Sequence, residues 1–361
     1  MTIASIFFFT LRRKIGLRQR MVLAQALGFE QVSGVVGLVR NVLHGTFAVE
    51  GAGALILMLR FWPEFGFGRA LWYGVFHSVS AYCNAGFDVL GDLASGGSLC
   101  GYVDDPVVNL TIMALITTGG LGFAVWGDIR KNRRFSRMSV YARMVAAISL
   151  GLTVGGAALI ALLEWNNPGT IGGLSAGGKV LASFFQSVTL RTAGFASFDQ
   201  NALRDVTKAV CDVLMFVGGS SGSTAGGVKT VTMGVLALAA AGTARGRTHI
   251  TAFKRTIPPS AIANAEAVAL LMLTLGVLGA GALTVLDGVS FENAIYETIS
   301  ALCTVGLTTG ITAGLSLASC LILIVFMFFG RVGIMTISVG FMMANPAEDR
   351  IEYAQTRVMI G

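Results

Sequence analysis

The chain has 361 residues, of which 54% are hydrophobic and 12% are charged, and its formal net charge is +7. A soluble domain carries about twice that charged fraction, so the composition excludes an ordinary water-soluble protein and indicates a polytopic membrane protein. Three histidines and five cysteines without a C-x-x-C pair predict neither a metal centre nor a disulfide framework, and we expect no cofactor.

Basic residues cluster in three stretches, residues 12–20, 130–143 and 245–255. The positive-inside rule assigns all three to the cytoplasmic side of the membrane. The net charge is therefore explained by topology, and nucleic acid is not an expected partner. Between consecutive clusters the chain must cross the membrane and return. Apolar runs long enough to span, at about 20 residues each, cover residues 107–127, 144–163, 267–286 and 311–330.

Each excursion from the cytoplasmic side contains the same predicted elements. A spanning helix (42–59, 144–163 or 267–286) precedes a segment rich in aromatic residues, Ser and Thr that is too short to cross and suits a re-entrant helix. Each short segment leads to a related tetrapeptide: Asn84-Ala85-Gly86-Phe87, Thr192-Ala193-Gly194-Phe195 or Thr304-Val305-Gly306-Leu307. The tetrapeptide glycines lie 108 residues apart (86 to 194) and 112 apart (194 to 306), which indicates an internal repeat.

A helix, a re-entrant helix, an extended glycine-containing strand and a second helix together form the plan of a cation-channel pore unit. Carbonyl oxygens of such a strand replace the hydration shell of an ion, and glycine permits the backbone angles that this requires. The tetrapeptides contain no Asp or Glu, which favours K⁺ over a divalent cation. The alternative is that the tetrapeptides are tight turns in extracellular loops.

The stretch GGSSGSTAGGVKT, residues 218–230, interrupts an apolar run over residues 213–244 that is longer than a straight spanning helix needs. It is not a phosphate-binding loop, because Val228 separates Gly227 from Lys229. Small, flexible and hydroxylated residues just after a tetrapeptide unit predict a gate in the ion path. The predicted gate comprises Gly219, Ser220, Ser221, Gly222, Ser223, Thr224, Ala225, Gly226 and Gly227, with Lys229 and Arg331 holding its carbonyls.

Three charged residues fall within or beside apolar segments. Arg191 and Arg331 are predicted to contact loop carbonyls, because charges inside a membrane are costly and mark functional sites. For Arg331 the alternative is that its side chain only extends to the cytoplasmic interface. For Glu50 we expect a structural partner, such as a hydroxyl on a neighbouring helix.

The stretches FHSVSAYCNAGF, QSVTLRTAGFASFD, GGSSGSTAGGVKT, SALCTVGLTTGIT, GRVGIMTIS and RVMIG resemble the Trk/Ktr/HKT superfamily of potassium transporters, and most closely its Ktr-type membrane subunits. The resemblance implies an all-α polytopic membrane protein of tandem M1–pore-loop–M2 repeats with one filter glycine per repeat. It implies K⁺ uptake across the bacterial plasma membrane and no enzymatic activity. The implied partners are a second copy, membrane lipids and a cytosolic ring of nucleotide-binding RCK-type regulatory subunits.

The family pattern has four repeats, whereas three are found in this sequence. The predicted divisions are residues 1–33, the end of the first M2 and a cytoplasmic linker; 34–134, the second repeat; 135–255, the third repeat with its interrupted M2; and 256–361, the fourth repeat and tail. We expect the chain to begin at an internal methionine of a longer gene. The alternatives are a non-conducting fragment and an ion-coupled secondary transporter with broken helices. Selectivity between K⁺ and Na⁺, coupling to Na⁺ or H⁺, and nucleotide regulation stay open.

Overall fold

A computed structural model of the protein describes residues 35–91 and 97–332, with side chains from residue 42 onward. Helices dominate this part of the chain, as the all-α prediction requires. Ten α-helices and one two-stranded ribbon occur within the described ranges: α1 (Val35–Tyr82), α2 (Pro106–Gly120), α3 (Phe123–Asn132), α4 (Val140–Glu164), α5 (Ala176–Thr189), α6 (Asp205–Phe216), α7 (Thr230–Ala244), β1 (Thr251–Ala252), β2 (Arg255–Thr256), α8 (Pro259–Asp287), α9 (Phe291–Leu302) and α10 (Leu317–Val332). Short 3₁₀ turns lie at Cys100–Tyr102, Phe135–Arg137 and Ile311–Gly314.

A long helix, a short helix, a tetrapeptide and a returning helix occur in this order three times within the described ranges. The short helices are residues 67–82 of α1, α5 and α9. The long helix packs against the short helix in the second and third units (α4 with α5, and α8 with α9), and in the first unit α1 packs against the returning helix α2. The second and third short helices also pack against the returning helix of the preceding unit (α2 with α5, and α6 with α9). The same packing relation therefore joins successive units. The predicted domain boundaries remain a prediction, and that of residues 1–33 lies outside the described residues.

The first unit contains α1, in which the predicted spanning and re-entrant helices are continuous except at Gly66. The backbone of Gly66 is non-helical, with φ 73° and ψ 164°. A positive φ of this kind suits glycine, which has no Cβ to clash. The two predicted helices are therefore joined through a bend at one residue rather than through a loop.

The apolar run over residues 107–127, which is long enough to span, is not one straight helix. Helix α2 ends at Gly120, and α3 begins at Phe123 after a bend of 93°. Gly122 between them has φ 84°, which breaks the helix at no steric cost. Likewise, the run 311–330 is not helical from its start, because Ile311–Gly314 is a 3₁₀ turn and α10 begins only at Leu317. Hydropathy identifies both runs as apolar, but it cannot show where the helix breaks within them.

The outer helices carry large apolar side chains that are exposed in the described part of the chain. Leu162 of α4 is 77% exposed, Val285 of α8 is 84% exposed and Leu317 of α10 is 77% exposed. Within the described ranges, three single helices are long and apolar enough to span a membrane, and the bent pair α2–α3 would make a fourth. The exposed apolar surface on these helices is the surface expected to face lipid.

Candidate functional site

The three tetrapeptides share an unusual backbone conformation. Their first residues have positive φ angles, 49° at Asn84, 65° at Thr192 and 54° at Thr304. Their glycines, in the same order, have φ angles of 71°, 86° and 95°. A residue other than glycine rarely adopts the left-handed region, and it stays there only when the surrounding structure holds it. The same conformation is therefore built three times, once after each short helix.

The tetrapeptides approach one another through their glycines. A methyl group added at Gly86 would lie 2.3 Å from the carbonyl oxygen of Ala193, and one added at Gly194 would lie 2.4 Å from that of Val305. At Gly306 the nearest atom would be the Cα of Gly194, at 3.7 Å. Gly86 and Gly194 thus admit the backbone of the next loop, and a side chain at either position would push the loops apart.

The last residue of each tetrapeptide is fastened to the short helix that precedes it. In every unit a helix hydroxyl donates a hydrogen bond to the carbonyl oxygen of that residue. The pairs are Ser80 with Phe87 at 2.7 Å, Thr189 with Phe195 at 2.7 Å, and Ser300 with Leu307 at 2.6 Å. The side chains of Phe195 and Leu307 are buried, whereas that of Phe87 is 70% exposed.

The first residue of each tetrapeptide carries a buried polar atom that has no hydrogen-bond partner among the described residues. These atoms are Nδ2 of Asn84, Oγ1 of Thr192 and Oγ1 of Thr304. A buried polar group without a partner is destabilising unless water or a ligand satisfies it. Three such groups therefore occur at equivalent positions in the three units.

The glycine-rich segment, residues 218–229, breaks the returning helix of the middle unit into α6 and α7, as the sequence predicts. Its two ends are joined by backbone hydrogen bonds, from Gly218 N to Val228 O at 2.9 Å and from Thr230 N to Gly219 O at 3.0 Å. The side-chain hydroxyl of Thr230 also donates to Gly218 O at 2.8 Å. The segment therefore leaves the helix and returns to it as a closed loop.

The glycine-rich segment reaches the first unit. Ser220 N donates to Gly120 O at 3.2 Å, at the bend after α2. The Thr224 hydroxyl donates to Tyr82 O at 3.1 Å and lies 3.4 Å from Oδ1 of Asn84. The segment thus contacts both the end of the first short helix and the first residue of its tetrapeptide.

The glycine-rich segment also reaches the third unit. A methyl group added at Gly226 would lie 1.9 Å from Oγ1 of Thr304, and one added at Gly227 would lie 3.2 Å from Cβ of Cys303. Asn84 and Thr304 belong to the tetrapeptides on either side of the middle unit. The segment consequently extends from one flanking tetrapeptide to the other. It contacts the first residue of each and the chain just before it in sequence.

Two cations and a tyrosine bind carbonyl oxygens of the glycine-rich segment. Arg331 Nη1 donates to Thr224 O at 2.5 Å, and Lys229 Nζ donates to Ala225 O at 2.9 Å. The Tyr141 hydroxyl donates to Ser221 O at 2.9 Å. The hydrogen bonds expected of both cations are present. Tyr141 was missed, because a tyrosine near the start of an apolar helix carries no signal in the sequence.

The expectation for Arg191 needs correction, whereas Glu50 has a structural partner, although this partner is a thiol. Arg191 does not bond to a loop carbonyl in the described structure; its guanidinium donates to the hydroxyl of Ser149 at 3.0 Å and to the Ser149 carbonyl at 3.4 Å. The side chain of Glu50 faces the Cys83 thiol at 3.9 Å rather than a hydroxyl, while the Ser78 hydroxyl donates to the Glu50 backbone carbonyl at 2.6 Å. Neither contact is encoded locally, since the partners lie 42 residues apart for Arg191 and Ser149 and 33 apart for Glu50 and Cys83.

The chain is similar to known transport proteins along its whole length. The model of the TrkH family, a family of cation transport proteins, matches residues 2–353. Ktr system potassium uptake protein B of Bacillus subtilis (strain 168) is 39% identical over 361 residues, which cover 100% of this chain and 80% of that protein. Potassium/sodium uptake protein NtpJ of Enterococcus hirae is 36% identical over 366 residues, covering 100% of this chain and 80% of that protein.

The fold is also similar to a solved structure. The crystal structure of the potassium transporter TrkH from Vibrio parahaemolyticus aligns with a TM-score of 0.69 and 18% sequence identity, over 89% of this chain and 67% of that chain. At this identity the similarity concerns the fold, whereas the family model and the relatives carry the assignment. The chain belongs to the TrkH family of cation transport proteins.

Proposed function

We propose that the chain is the ion-translocating subunit of a potassium uptake system, a multi-pass protein of the bacterial plasma membrane. The relatives named for potassium uptake and for potassium/sodium uptake support this proposal, and the family is one of transporters rather than enzymes. The observation that carries it is the approach of three glycine-centred loops, in which a carbonyl oxygen of one loop faces the glycine of another.

The tetrapeptides at residues 84–87, 192–195 and 304–307 are proposed to bind a dehydrated K⁺ ion. Carbonyl oxygens directed between the loops would replace water around the ion. Each tetrapeptide follows the C-terminal end of a short helix, where the partial negative charge of the helix dipole favours a cation. No carboxylate lies in any tetrapeptide, which suits a monovalent ion better than a divalent one.

The glycine-rich segment is proposed to be the gate. It extends from the tetrapeptide of the first unit to that of the third, and it is held there by hydrogen bonds to its own carbonyl groups. Its small side chains need little room to move, and its glycines allow the backbone to rearrange. In this position it would obstruct an ion that leaves the tetrapeptides toward the cytoplasm.

Regulatory subunits are proposed to move this gate. The family resemblance supports a homodimer of the membrane subunit resting on a cytosolic ring of nucleotide-binding regulatory subunits. Na⁺ is a second candidate ion, because one relative is named for both potassium and sodium uptake. The two ions are distinguished by measuring uptake of each in the presence of the other.

The test is growth and K⁺ uptake in a bacterium that lacks its own K⁺ uptake systems, with the protein expressed from its gene. We expect uptake at low external K⁺, and we expect Gly194→Ser to weaken apparent K⁺ affinity or K⁺/Na⁺ discrimination without preventing membrane insertion. The matched control is Gly155→Ser on α4, where an added Cβ would meet no atom of the described residues within 4 Å. Unchanged uptake kinetics for Gly194→Ser would mean that the tetrapeptides are ordinary turns.

A further inference from the structure

His77 and Glu297 occupy equivalent places in the first and third units. Each lies on the short helix, nine residues before the tetrapeptide glycine. Each accepts a hydrogen bond from the backbone N–H three residues after that glycine: His77 Nε2 from Val89 N at 3.5 Å, and Glu297 Oε1 from Thr309 N at 3.2 Å. Both side chains are buried, with exposed fractions of 0% and 4%. Two different side chains therefore make the same contact in two units.

The hydrogen bond to the backbone N–H beyond the glycine is a main interaction of both side chains. Nδ1 of His77 lies 2.7 Å from the Tyr73 carbonyl; as a donor to that carbonyl it leaves Nε2 as the acceptor. Glu297 also accepts from the Thr308 hydroxyl, and no ion pair of Glu297 is found in the described part of the chain. A buried polar group is costly unless it is hydrogen-bonded, so both groups are tied to the segment beyond the glycine.

The middle unit is held through a different residue, further along the chain. Its equivalent helix position is Phe185, which cannot accept a hydrogen bond. Here Gln200, six residues after the glycine, receives hydrogen bonds from Gln186 Nε2 at 2.6 Å and from the Tyr296 hydroxyl at 3.0 Å. In all three units, buried side chains of the short helices thus hold the chain just beyond the tetrapeptide.

We infer that His77 and Glu297 are positioning residues for cation discrimination. Each fixes the segment after its tetrapeptide glycine, and through it the direction of the carbonyl oxygens that face the ion. A binding site must be held to within about 0.5 Å by its supporting side chains to keep its selectivity. The inference rests on the proposed function of the tetrapeptides and adds the residues that support them.

The experiment separates the effect of the hydrogen-bond acceptor on His77 and Glu297 from the effects of side-chain charge and side-chain volume. His77→Phe and Glu297→Met remove the acceptor at similar size, whereas His77→Gln and Glu297→Gln retain one. Initial K⁺ uptake is measured in cells without other K⁺ uptake systems, over a range of Na⁺ concentrations, and normalised to the amount of protein in the membrane. We expect the apolar variants to lose about tenfold in K⁺/Na⁺ preference, as for the loss of one hydrogen bond. The glutamine variants should stay within about threefold of the wild type.

Glu292→Gln is the matched control, since Glu292 lies on the same short helix as Glu297 but is partly exposed and pairs with Lys208 at 3.0 Å. Its K⁺/Na⁺ preference should equal that of the wild type. The inference is overturned if the apolar variants keep the wild-type preference, or if the glutamine variants lose as much as the apolar ones.

If Glu297→Met does not reach the membrane, the His77 pair decides alone, because phenylalanine already occupies the equivalent position at Phe185. Failure of the proposed function gives a different result. In that case the wild type takes up no K⁺, or Gly194→Ser leaves uptake unchanged. The positioning role alone fails when the wild type and Gly194→Ser behave as expected but the His77 and Glu297 variants do not.

Discussion

Replacing Arg331 by glutamine should raise K⁺ flux, because Arg331 anchors the proposed gate to the third unit. Its guanidinium donates to Thr224 O at 2.5 Å, across 107 residues of sequence. A charge-assisted hydrogen bond from an exposed arginine contributes about 0.5–1 kcal/mol. Losing it should shift the ratio of closed to open segment by about 2–5-fold. The side chain of glutamine is shorter and neutral, so it restores neither the reach nor the charge.

The assay is the initial rate of Rb⁺ or K⁺ influx into uptake-deficient cells, per molecule of transporter in the membrane, with and without the regulatory partner. Lys229→Gln should have a smaller effect, since the ammonium group of Lys229 binds Ala225 O within the segment itself and does not anchor it to another unit. Arg130→Gln, at an exposed basic position on α3, is the control and should leave influx unchanged. An influx in Arg331→Gln equal to or below that of the wild type would refute the assignment of the segment as a gate.

Three further predictions concern the gate and the stability of the fold. Deletion of Ser220–Ala225 should raise K⁺ flux and reduce its dependence on the regulatory partner; a stable protein with lower flux and intact regulation would make the segment a structural kink. Gly119→Ala should lower the thermal unfolding temperature in detergent, because the added methyl group would lie 2.0 Å from the Tyr82 carbonyl oxygen, whereas Gly127→Ala, in open space, should not. Glu164→Leu should destabilise the protein by more than about 2 kcal/mol, since the buried carboxylate accepts four hydrogen bonds that leucine cannot accept; a melting temperature equal to that of the wild type would contradict this.

The sequence by itself was sufficient to predict the class of the protein and to locate its candidate site along the chain. A low charged fraction and long apolar runs are properties of composition, so they indicate a membrane protein without any contact being known. The tetrapeptide glycines recur at a near-constant spacing, and the glycine-rich stretch interrupts an apolar run. Both signals are local, because the backbone conformation that they allow depends on the residues at those positions.

The tertiary structure decided how the local elements meet. The bend of 93° after Gly120 is invisible to hydropathy, since both arms belong to one apolar run. The bonds of Arg191 to Ser149 and of Arg331 to Thr224 join residues that are far apart in sequence. A long side chain can reach many groups, and only the packing of the helices selects one of them. For the same reason His77 and Glu297 carried no recognisable signal: their common role depends on a backbone N–H that the fold brings within hydrogen-bonding distance.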